Sequence, residues 1–102
     1  MVKLVALYKK PTDVEAFEEH YANVHLPLIE KVPHVVKTSL TRFWGVAGGG
    51  EPPYYLMYEM YFEDRDKLDE AMRSPENRAA GRDLMSFARD IVTVMFANVY
   101  ES

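Results

Sequence analysis

The stretch YANVHLPLI, residues 21–29, sets a tyrosine, a histidine and a proline in an otherwise apolar run. The side chain of His25 has an unperturbed pKa of about 6.5, which suits proton transfer near neutral pH. Tyr21 lies one helical turn earlier on the same side, placed to donate to a substrate oxygen or to sit in the core with its hydroxyl satisfied. The same helix also offers His25 a plainer part: a helix-terminal imidazole, favoured as the cation by the dipole and donating to a carbonyl. All three histidines fall between positions 20 and 34. On a regular helix the five-residue offset between His20 and His25 rotates by roughly 140°. The two are therefore expected to point apart and not to chelate one ion. His34 follows Pro33 in a turn. Without cysteine or an H-x-x-x-H pair, no dedicated metal site is expected.

Further along the chain, Arg42 lies in a strand-like run, suited to bind a carboxylate or enolate oxygen, to pair with Glu59 across a hairpin, or to reach out at an edge. Trp44, Tyr58 and Phe96 have the character of an aromatic pocket lining and equally of ordinary core and interface packing. Tyr58, with Tyr21, is a second phenol able to polarise a ligand oxygen.

The elements that must position these residues are legible from pattern. VKLVALY, residues 2–8, is a short apolar run closed by Lys-Lys-Pro and reads as a buried strand. Thr12 and Glu15 form the T-x-x-E arrangement of a capping box. From there Val14, Phe17, Tyr21, Val24 and Leu28 recur at spacings of three and four, an apolar helical stripe. Pro27 disfavours helical geometry at Leu26, so this helix is expected to end or kink near His25. His25 lies about 40° from Tyr21 around the helix. That places it at the margin of the buried face, where a pocket between helix and sheet opens. Strands are expected over 35–44, 54–63 and 91–100. The segment GVAGGGEPP between the first two is a long, mobile hairpin loop, and without a Gly-Lys-Ser/Thr ending it is no phosphate loop. Asp64 caps one further helix, and Ser74-Pro75 opens another with the stripe Ala80, Leu84, Phe87 and Ala88.

At 102 residues the chain suits one domain, and 48% apolar residues suffice for a packed core. A formal net charge of −4 with no basic run longer than Lys9-Lys10 argues against a nucleic-acid or anionic-membrane surface. The terminal apolar stretches are too short for a signal peptide or a bilayer span, which needs about 20 residues. A soluble cytoplasmic domain is the expectation.

The element order β-α-β-β-α-β is the ferredoxin-like pattern, an α+β fold with an antiparallel sheet and helices on one face. Strand alternation is expected where the other face is wet. Here Leu56, Tyr58, Met60 and Phe62 share one face while Tyr55, Met57 and Tyr61 take most of the other. The final strand is apolar on both parities too. A chain this short has no second layer to cover that face, so a second copy is expected to cover it.

The run around the first helix, with Tyr21, His25, Pro27 and Leu28, resembles the H-x-P signature of the EthD family. These small proteins belong to the dimeric α/β-barrel group, together with muconolactone isomerases and cofactor-free monooxygenases of antibiotic biosynthesis. Element order and length agree across nearly the whole chain. The resemblance implies a homodimer whose two sheets face each other as a barrel, each protomer holding a pocket between sheet and helices. It carries over only His25 and Pro27 as motif positions. The founding member takes its name from an operon degrading a fuel ether, ethyl tert-butyl ether.

These readings converge on a small enzyme working without a bound cofactor on an apolar or aromatic carbonyl compound. It would be an oxidoreductase of the monooxygenase kind, or an isomerase or lyase. His25 is the expected acid/base group, Tyr21 or Tyr58 polarises an oxygen, and Arg42, Trp44 and Phe96 contact the ligand. The rival reading is a non-catalytic binding or accessory subunit of a catabolic pathway, with a cavity lined by apolar groups only.

Overall fold

Strand β1 (Val2–Tyr8) lies inside a four-stranded antiparallel sheet of order β2-β3-β1-β4, with β2 at Lys37–Arg42, β3 at Leu56–Phe62 and β4 at Val92–Asn98. This computed structural model describes residues 1–100. The register sets Ala6 opposite Tyr58 on one side and Val94 on the other. One sheet face therefore carries Leu4, Ala6 and Tyr8 with Leu56, Tyr58, Met60, Phe62, Val94 and Phe96. The helices cover the β1 and β3 part of that face, where the Tyr8 ring meets Phe17 and Tyr21 edge-on at centroid distances of 5.5 and 5.7 Å. Val94 and Phe96 of the edge strand β4 stay exposed. Tyr8, Tyr21, Leu56 and Phe62 are the largest fully buried side chains. The expected α+β ferredoxin-like order is the observed one.

The first helical arm is continuous but irregular. It runs as α1 (Val14–His20), a π turn (Tyr21–His25) and a short α2 (Leu26–Ile29). Its N-cap is Asp13, whose carboxylate accepts from the Ala16 N–H at 3.0 Å, and not the expected Thr12. Asp13 supplies a charged acceptor beside the positive helix end. Pro27 does not end the arm as expected. The π turn closes with the Leu26 N–H donating to Tyr21, so Pro27 falls in the first turn of a new α segment. There its missing N–H leaves no bond unmade.

The second arm follows the sequence more closely. Asp64 caps α3 (Arg65–Met72) by accepting from the Lys67 N–H. Ser74 caps α4 (Pro75–Ala88), accepting from Asn77 and donating to the Ala71 carbonyl. The loop between β2 and β3 carries Gly48, Gly49 and Gly50 at φ of 90°, 95° and 100°, a conformation that side chains resist. Its ends are tied by Glu18 of α1, which accepts from Arg42 at 3.0 and 2.6 Å and from the Tyr55 hydroxyl. His34 adopts a left-handed backbone with φ of 68° and pairs with Glu70 of α3 at 2.9 Å, away from the other histidines.

On the helix-free face, Lys3, Val5 and Leu7 lie opposite Tyr61, Glu59 and Met57 respectively. This face is less apolar than strand parity suggested. Glu59 is buried in an ion pair with Lys3 and accepts from the Tyr61 hydroxyl at 3.3 Å. The Tyr61 ring lies beneath the ammonium groups of Lys3 and Lys37. Among the described residues no helix is long and apolar enough to cross a membrane.

Candidate active site

The π turn decides where the two helical histidines go. A π turn takes more than 3.6 residues, so an offset of five falls close to one full turn instead of overshooting it by roughly 140°. His20 opens that turn and His25 closes it, and both rings reach the same carboxylate. Asp83 of α4 sits between them: His25 Nδ1 is 3.0 Å from Oδ2, and His20 Nε2 is 2.8 Å from Oδ1. The expectation that the two histidines point apart assumed a regular helix and is corrected here. Phe87, one turn beyond Asp83, lies against both imidazoles, with ring centroids 4.3 Å from His20 and 5.2 Å from His25.

An ionised carboxylate only accepts hydrogen bonds. The ring nitrogens facing Asp83 must then carry the hydrogens: Nδ1 of His25 and Nε2 of His20. This leaves Nε2 of His25 as the lone-pair nitrogen, and it makes no hydrogen bond among the described residues. His25 is 4% exposed. Burial pushes its pKa below the ordinary imidazole value, the hydrogen bond to Asp83 opposes that fall, and the neighbouring His20 adds to it. Burial and the bond to Asp83 hold the ring neutral and in one orientation.

His25 lines a cavity of about 180 Å³ between the sheet and α4. Two phenols, Tyr8 at the end of β1 and Tyr58 in β3, share the lining with it, and most of the rest is apolar, including Met60, Leu84 and Phe96. Burial pushes the pKa of both tyrosines upward, so they remain protonated donors. Tyr21 packs behind this wall, its ring centroid 5.6 Å from His25. Its hydroxyl is buried without a hydrogen-bond partner among the described residues, and burial raises its pKa as well.

Of the residues singled out from sequence, the structure brings His25, Tyr58 and Phe96 to one cavity, with Tyr21 directly behind. It does not bring Arg42 or Trp44 there. Arg42 is consumed by Glu18 on the rim of α1, and Glu59, its alternative partner, belongs to Lys3. Trp44 stands 95% exposed beyond the end of β2. Two residues of the site escaped the sequence reading, and both carried a signal. Asp83 lies three residues after Ala80 and four before Phe87, so a carboxylate stood on the apolar stripe of α4. Tyr8 shares parity with Leu4 and Ala6 on the helix-facing side of β1.

The family model for the EthD domain matches residues 9–90. An uncharacterized 11.0 kDa protein of the thcB–thcC intergenic region of Rhodococcus erythropolis is 32% identical over 98 residues, covering 96% of this chain and 94% of that one. Among solved structures, an ethyl tert-butyl ether (EthD) family protein from Bacillus halodurans C-125 superposes with a TM-score of 0.93. It is 45% identical and covers 98% of this chain and 99% of its own. A variant of SnoaB from Streptomyces nogalater, described as a cofactor-independent oxygenase, shares the fold at a TM-score of 0.70 and 14% identity, covering 99% and 94%. A dimeric ferredoxin-like protein of unknown function from Thermobifida fusca does so at 0.69 and 16%, covering 96% and 90%.

Proposed function

The chain belongs to the EthD domain family, and we propose that it is a cofactor-free enzyme that begins its reaction by removing a proton from an apolar or aromatic carbonyl compound. The observation that carries this reading is the bond from His25 Nδ1 to Asp83 at the wall of an otherwise apolar cavity. A carboxylate behind an imidazole fixes its tautomer and steadies the cation that forms when the other nitrogen takes a proton.

The chemistry follows from the wall. Nε2 of His25 takes a proton from the carbon beside the carbonyl, and the electrons of the broken C–H bond move onto the carbonyl oxygen. Tyr8 and Tyr58, held protonated, donate hydrogen bonds to that developing enolate oxygen. The low polarity of the remaining lining strengthens both interactions. Returning the proton to a different carbon gives an isomerase. Passing the carbanion's electron pair to dioxygen forms a C–O bond, and the resulting peroxide anion takes the proton back from His25 to give an oxygenated product. SnoaB is described as a cofactor-independent oxygenase. The active unit is a homodimer through the helix-free face. Support comes from the apolar part of that face and from the dimeric neighbour of the same fold.

A generic probe of a buried base tests the reading without knowledge of the natural substrate. 5-Nitrobenzisoxazole opens its ring when a base removes its lone ring C–H proton. The protein should accelerate this above an equal concentration of free imidazole, and His25→Ala should lower the rate by about 10²-fold. A wild-type rate equal to that of free imidazole overturns the proposal.

A further inference from the structure

We infer that His20 is a positioning residue for His25, acting through Asp83, and that a proton on His20 weakens the base across the shared carboxylate. The inference rests on reading His25 as the base. Its ground is the shared carboxylate: one oxygen of Asp83 receives each imidazole, at 2.8 Å for His20 and 3.0 Å for His25. With both oxygens engaged, the carboxylate is held in one orientation. That orientation sets the tautomer of His25, and so decides that Nε2 and not Nδ1 offers a lone pair to the cavity. Phe87 packs against both rings and limits their rotation.

The two histidines differ in their access to water. The side chain of His25 is 5% exposed, that of His20 is 32% exposed and that of Asp83 is 12% exposed. The outer imidazole therefore faces solvent, while the inner one faces the cavity. One carboxylate balances one imidazolium. When His20 carries a charge, a second proton on His25 leaves the cluster with a net positive charge in a poorly solvated place. The basicity of His25 falls accordingly, in line with the downward influence of His20 on it. Around His25 the other titratable groups are Tyr8 from β1, Tyr21 from the π turn and Tyr58 from β3, while Asp13, the N-cap of α1, borders the hollow beside His20 and Phe87. The three tyrosines are held above their ordinary range by burial and stay neutral while the imidazoles titrate. The neighbouring α2 presents Leu26 and Ile29, which carry no charge.

Nitrogen-15 correlation spectra of the imidazoles in the full chain, recorded across a pH series, test this directly. In the wild-type protein His25 should hold the Nδ1–H tautomer. His20→Gln keeps an N–H donor to Asp83 but removes the charge, so His25 should retain its tautomer while its midpoint moves upward. His20→Ala removes donor and charge together, so the His25 tautomer should become mixed. Circular dichroism matching the wild type secures the fold of each variant, which the partial exposure of His20 favours. The pH at half-maximal rate of 5-nitrobenzisoxazole opening should move with the spectroscopic midpoint in His20→Gln. Wild-type tautomer and midpoint for His25 in both variants overturn the inference, even where His25→Ala abolishes turnover. Coupled titration in a protein that does not turn over the probe supports the coupling and overturns the base reading instead.

Discussion

His25 is chemically defined by being buried as a neutral group, and this makes stability respond to pH in a stated direction. Its folded pKa lies below the ordinary value of about 6.5. As pH falls through that value, the unfolded chain gains a proton there before the folded one does, so stability is lost. The loss is absent well above the ordinary value and complete below the folded one. The melting temperature should therefore drop between pH 7.5 and pH 5.5, and the drop should be smaller in His25→Gln, with scanning calorimetry as the measurement. An equal drop in both proteins would place the titration elsewhere. Much at this scale was legible beforehand. That His25 faces a cavity was read from the stripe, but counting put it at the margin of the buried face, whereas the π turn buries it and leaves Val24 exposed. What the count concealed was His20, because the 100° step per residue fails across a π turn and no residue type announces one. Arg42 and Trp44 were misplaced for another reason. A strand's parity names the face a side chain occupies, but not whether a carboxylate on a neighbouring helix will claim it or whether the strand ends first.

Among the elements, α4 matters most because it brings Asp83 and Phe87 to the first arm. Its start is fixed by Ser74, which is buried and bonded on both sides, to Asn77 of its own helix and to the end of α3. Ser74→Ala should destabilise the fold by about 1–2 kcal/mol, read as a lower urea midpoint with unchanged slope. A midpoint within error of the wild type would mean the α3–α4 junction is held by packing alone. Both caps of this second arm were written locally, as Asp64 and as Ser74-Pro75, and sequence found them. The first arm was harder because Thr12 and Asp13 are adjacent and both are good caps. Pro27 also signals a helix end unless the preceding turn has already slipped out of phase.

For the whole molecule, the issue is how a single sheet with helices on one side handles the other side. That surface combines Val5, Leu7, Met57 and Met95 with the Lys3–Glu59 pair and the Tyr61 ring. Sedimentation at micromolar concentration should give about twice the 11.8 kDa chain mass, and a species at the chain mass alone would refute the homodimer. The fold class was legible because strand number, order and helix placement all follow from hydrophobic period. The polar island around Glu59 was not, because parity assigns a face and cannot say that a lysine two strand positions from the terminus will neutralise a central carboxylate. Strand β4 has a particular standing here. Val94 and Phe96 wall the cavity, while Met95 between them turns to the opposite face. On the proposed reading, one strand would border both a ligand in the cavity and a second copy. Linkage is reciprocal: whatever factor association adds to ligand affinity, the ligand returns to association. On that reading a ligand for the cavity can be sought by weighing, as a compound that tightens self-association at high dilution.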